Sequence, residues 1–230
     1  MIHDFIFGVY PYLAGTIFIL GNWIRYDREQ YTWKADSSQL LSNKNMRMAS
    51  NLFHVGILAV FAGHFVGLLT PHSWFQGVGI DDMTHQWIAI IAGLVFGGMC
   101  FIGALMLVVR RLTNERVKAV SRARDNFIII WLLLTVTLGL LTTIVSISHA
   151  NHGDASSMIA LSEWVKSVAT LSVNASLIQD VSFIYKLHIF FGMTVFLVFP
   201  FTRLVHVWSV PITYIGRSYQ IVRRKRVRTN

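Results

Sequence analysis

Charge is scarce in this 230-residue chain: Asp, Glu, Lys and Arg together make up 13% of it, about half the share usual in a water-soluble domain. Residues 48–80, 83–109 and 126–153 contain none of the four. Each stretch is longer than the ~20 residues a helix needs to cross a bilayer core. Cysteine is nearly absent as well. The single Cys100 excludes a disulfide framework and any iron–sulfur cluster held by this chain's own thiolates. No phosphate-cradling glycine loop or nucleophile elbow occurs, and the 16 glycines lie mostly scattered through apolar segments, as in membrane helices. At this length a set of membrane spans leaves no room for a separate soluble domain.

What is there reads as an all-α polytopic membrane protein, a single domain over 1–230 with five spans at about 5–24, 50–71, 86–109, 127–147 and 183–208. The first has no basic n-region or small-residue cleavage site and reads as a retained helix. Basic residues orient the set. Arg25, Arg28, Lys34, Lys44 and Arg47 follow span one; Arg110, Arg111, Arg116, Lys118, Arg122 and Arg124 follow span three. Arg203, Arg217, Arg223, Arg224, Lys225, Arg226 and Arg228 close the chain. Only Lys166 and Lys186 of the 20 basic residues fall on the other side. The positive-inside rule then puts the N-terminus outside and the C-terminus in the cytoplasm; an even span count would scatter these charges over both faces. Residues 26–48 read as a polar inner loop. Residues 155–171, with Met158, Trp164, Val165 and Val168 at helical spacing, read as an outer amphipathic helix along the interface.

Nine histidines are present, and four lie within spans: His54 and His64 on span two, His188 and His206 on span five. An ionisable group inside a membrane is costly and marks function by default, although a lone one often does no more than bridge helices. Span two runs outward and span five inward, so as antiparallel neighbours they would bring His64 opposite His188 and His54 opposite His206. Each pair can supply two axial imidazoles to a haem iron. The ten-residue spacing rises about 15 Å and the eighteen-residue spacing about 27 Å. Tilt, a kink at Pro200 and the breadth of each porphyrin must absorb the difference. Eighteen residues is about five helical turns, which would point His188 and His206 the same way. Gly56, Gly63 and Gly67 cluster on one side of span two, for tight packing or for a flat macrocycle. One zinc or copper ion would need all four ligands to converge, and a proton relay would usually carry mid-span Asp or Glu. Two haems are favoured.

The runs Arg25-Tyr26-Asp27, Gln30-Tyr31-Thr32-Trp33, Ala49 to His54, Gly63-His64-Phe65 and Leu69-Thr70-Pro71-His72 carry a family resemblance. So do Lys186-Leu187-His188 and Phe199 to Pro211. Together they resemble the gamma subunit of membrane-bound respiratory nitrate reductase, a di-haem cytochrome b of the prokaryotic cytoplasmic membrane. The resemblance implies an outer haem b on His64 and His188 and an inner haem b on His54 and His206. It also implies oxidation of menaquinol or ubiquinol near the outer haem. Electrons would pass to an iron–sulfur beta subunit and on to a molybdenum alpha subunit that reduces nitrate, in a heterotrimer. Where relatives can carry a lysine near the quinol pocket, this chain has His85; with Lys186 and Gly67 it is a candidate for quinol contact. Two other readings keep the four histidines. One is a related di-haem quinol cytochrome b serving a sulfur-compound or heterodisulfide reductase; the other is a haem-free channel or receptor whose histidines only pack helices.

Overall fold

The computed structural model describes residues 1–29 and 45–209. Most of the expected inner loop, the run Gln30–Trp33 and the basic tail beyond Ser209 lie outside the described residues. In chain order the helices are α1 (Ile2–Arg28), α2 (Met46–Leu69), α3 (His72–Gly77), α4 (Asp82–Thr113), α5 (Glu115–Val120), α6 (Ala123–Asn151), α7 (Ser156–Ala169) and α8 (Phe183–Val198). Among the described residues there is no strand. Helices α1, α2, α4, α6 and α8 overlap the five expected spans and are long and apolar enough to cross a membrane, the last counted through Phe201.

The fifth span departs from expectation. Its α-helix stops at Val198 and does not run on to 208; Phe199–Phe201 and Arg203–Ser209 are 3-10 turns. Pro200 has no N–H to return to Phe196, and its ring crowds that carbonyl. Thr202 is then extended (φ −118°, ψ 176°), and its Oγ1 accepts the Leu204 N–H at 3.3 Å. The chain changes direction here, so counting five even turns from His188 to His206 does not describe it.

Helix α2 packs on α4, α4 on α6, α6 on α8 and α8 on α1. The α2–α4 crossing is the tightest, because small residues let the backbones touch. A Cβ on Gly56 would fall 2.5 Å from the Cys100 nitrogen, and one on Gly103 would collide with the Phe53 nitrogen. Gly56 therefore serves packing. Around this crossing Phe53, Cys100, Ala104, Ile128, Leu132 and Val195 form the core of the basic half.

A second cluster, with Phe7, Trp164, Ile178, Val181 and Tyr185, closes the other end. Pro11 cannot donate to Phe7, four residues before it, and Phe5–Val9 is wound as a π-turn. The freed Phe7 carbonyl accepts the Trp164 indole N–H at 3.0 Å. Trp164 belongs to α7, the expected amphipathic helix. Ser162 on the same helix donates to the Leu68 carbonyl at 3.0 Å, one of the orphan carbonyls at the end of α2. Helix α7 is thus bonded across the ends of α1 and α2.

Candidate functional site

Helices α2 and α8 are antiparallel and are not packed backbone to backbone. Two pairs of rings meet between them, Phe61 with Phe196 (centroids 6.4 Å apart) and His64 with His188 (6.1 Å), and a third, His54 with His206 (6.1 Å), joins α2 to the 3-10 turn after α8. Only 6% of the most apolar window of α2 is buried, against 17–28% for the other four spans. The helix with two of the four histidines is the one least covered by protein.

Each paired ring has its Nδ1 engaged by a backbone carbonyl. His54 donates to Ser50 (2.7 Å), His64 to Val60 (2.8 Å), His188 to Thr135 of α6 (3.1 Å) and His206 to Arg203 (2.6 Å). A carbonyl can only accept, so each Nδ1 carries a proton, and Nε2 is the nitrogen whose lone pair the neutral tautomer leaves for a ligand. Fixing the tautomer this way is the usual outer support of a metal-ligating histidine. His152 makes the same local bond to Ser148, so the tautomer alone marks no ligand; what sets the four apart is their opposed pairing.

With a metal–imidazole bond of about 2.0 Å and about 1.1 Å from nitrogen to ring centre, two axial imidazoles put their centroids about 6.2 Å apart. Both pairs match. At the end of the bundle away from the basic loops, Gly63 adjoins His64 and Gly192 lies one turn along from His188. A Cβ on either would meet nothing within 4 Å. A single four-ligand ion does not fit, since His54 and His64 are separated by about 15 Å of helix rise.

Sequence reasoning missed the seat of His188. Gly139 of α6 would place a Cβ 3.0 Å from His188 Cε1, a tight contact that glycine spares where the ring settles on α6 and reaches the Thr135 carbonyl. A glycine in an apolar span is too common a signal to single this one out.

Of the other candidates, His85 and Gly67 are brought together. His85 is 6% exposed and stacks on Phe75 (4.1 Å, 27°). Its Nε2 lies 3.6 Å from where a Gly67 Cβ would be, and its Nδ1 has no protein partner. A buried polar atom left so is costly. Lys186, two residues before His188, donates to the Gln179 carbonyl at 2.5 Å instead.

A family model, nitrate reductase gamma subunit, matches residues 3–225. The chain is 48% identical over 222 residues to the respiratory nitrate reductase 1 gamma chain of Escherichia coli (strain K12), covering 96% of this chain and 97% of that one. It is 46% identical to the respiratory nitrate reductase 2 gamma chain of the same organism and 35% identical to the nitrate reductase gamma chain of Bacillus subtilis (strain 168). Both matches cover 96% of this chain and 97% of the relative.

Proposed function

Because this chain belongs to the nitrate reductase gamma subunit family, a multi-pass membrane component of a respiratory oxidoreductase complex in the prokaryotic cytoplasmic membrane, we propose that it is the quinol-oxidising subunit. His64 and His188 would hold an outer haem b, and His54 and His206 an inner one. The observation that carries this reading is the two opposed imidazole pairs at 6.1 Å with every Nδ1 tied to a carbonyl. When bound, each haem supplies a one-electron relay.

The chain's own residues do the rest. His54, His64, His188 and His206 would hold the two groups through Nε2, and the carbonyl bonds at each Nδ1 would keep the rings oriented for that role. His85 offers the unpartnered Nδ1 to a quinol hydroxyl, and Gly67 leaves room beside the ring. Lys186 borders the same end. By the positive-inside rule the His54–His206 pair would face the cytoplasm, where an iron–sulfur beta subunit and then a molybdenum alpha subunit would take the electrons, giving a heterotrimer. The positive surface suits an acidic partner. Oxidation at the outer end is physically favoured: an electron carried inward against 100 mV stores about 2.3 kcal/mol, which inner-side oxidation would forgo.

The test is haem content per polypeptide. His64→Ala and His188→Ala are expected to delete one and the same haem, and His54→Ala and His206→Ala the other. Loss of different haems within a pair refutes the pairing. In proteoliposomes holding the full complex, quinol protons are expected on the side away from the partner subunits; their appearance on the partner side refutes the outer site.

A further inference from the structure

Of the four paired histidines, His206 alone is not on an α-helix. It rides on the 3-10 turn that follows the break at Pro200, a form with poorer hydrogen-bond geometry than the α-helix. The aim of its ring therefore depends on what holds that turn from outside.

Two anchors do so. On one side α1 closes on the break. Gly21 leaves space that the Pro200 ring fills, since a Cβ there would lie 2.8 Å from Pro200 Cγ. The Arg25 guanidinium donates to the Pro200 carbonyl. On the other side stands Asp125, at the start of α6 and 5% exposed. Its Oδ2 accepts the Arg122 backbone N–H at 3.2 Å and lies 3.7 Å from Arg111 Nη1 at the end of α4. Its Oδ1 lies 3.3 Å from Arg203 Nε. A carboxylate so deeply buried is tolerated only when paired. Here α4 and the α6 cap hold it still, and it sets a fixed negative charge beside the Arg203 guanidinium. The carbonyl that receives the His206 Nδ1–H belongs to that same Arg203.

We infer that Asp125 is a positioning residue that, through Arg203, sets the ring of His206 and with it the axial geometry of the haem at the basic end. The inference rests on the reading of His206 as a ligand. A triad that merely stapled helix ends would affect protein yield and leave the haem's spectroscopic signature unchanged.

The experiment uses membranes holding the full chain with its other subunits, and compares Asp125→Asn, Asp125→Glu, Arg203→Gln and His206→Ala. Electron paramagnetic resonance and redox titration of both haems are the readouts. Asp125→Asn is expected to move the low-spin g values and midpoint potential of one haem only, the one that His206→Ala removes. Asp125→Glu is expected to return them toward those of the unaltered protein. The other haem is the internal control for folding, and Arg203→Gln carries the same expectation if Asp125→Asn does not accumulate. Unchanged g values in both Asp125→Asn and Arg203→Gln overturn the inference, as does a shift in potential alone, which would mark a pure charge effect. If His206→Ala removes neither haem, the ligand reading itself fails.

Discussion

Replacing Gly139 with alanine adds one methyl group and, if His188 ligates a haem as proposed, is expected to loosen that haem. The new Cβ would stand 3.0 Å from His188 Cε1 and 3.5 Å from both ring nitrogens. Carbon contacts are optimal at about 3.5–4.0 Å, so the ring must give by a few tenths of an ångström. The bond from Nδ1 to Thr135, now 3.1 Å, would lengthen toward the ~3.5 Å limit beyond which it no longer counts as one. The bond itself contributes about 0.5–1.5 kcal/mol. Losing the outer partner of a metal ligand typically lowers metal affinity about 10–100-fold. Helix propensity acts the other way, since Ala favours the helix over Gly by about 0.5–1 kcal/mol; a defect cannot then be blamed on a weakened α6. The assay is haem per polypeptide with redox titration of each haem. Gly98→Ala, where a Cβ meets nothing within 4 Å, serves as the neutral control. Full occupancy and an unshifted potential in Gly139→Ala would refute the reasoning, as would an equal defect in the control.

Trp164→Phe is expected to loosen α7 by about 1 kcal/mol, the worth of its bond to the Phe7 carbonyl, seen as faster hydrogen exchange in 156–169. Pro11→Ala restores an N–H to that carbonyl, so the Trp164→Phe defect is expected to shrink in the double variant; strict additivity would contradict the account. Gly56→Leu is expected to abolish the α2–α4 crossing and sharply reduce the protein inserted in membranes, whereas Gly98→Leu is expected to be tolerated. The Asp154 carboxylate accepts the Ser156 N–H at 2.9 Å, which holds it below the usual carboxyl range. That contribution is complete above an ordinary Asp value of about 3.9 and is lost as pH falls through the lowered one. Protection at the start of α7 is therefore expected to stay flat from neutral pH down to about pH 5, after correction for intrinsic exchange; a loss near pH 6 would point to another group.

The number of spans and the facing of His64 with His188 and His54 with His206 were legible from the sequence, as were the span ends to within about four residues, except that the last helix stops at Val198 and not at 208. Charge avoidance in the bilayer is a strong one-dimensional signal, and alternation of direction along the chain follows from it. The amphipathic helix around Trp164 was legible for the same reason, through its helical period. The residues that aim each ring were not. Gly139 and Thr135 matter to His188 only because α6 lies against α8, and Asp125 matters to His206 only because Pro200 breaks the last helix and turns it. Counting helical turns from His188 to His206 failed there, because a proline's missing donor changes the path of everything after it. Gly56, Gly63 and Gly67 look alike along α2, yet one abuts the α4 backbone, one faces open space and one faces His85. What a residue is follows from the chain; what stands opposite it is decided by which helices pack, and that is set by long-range contacts no local pattern encodes.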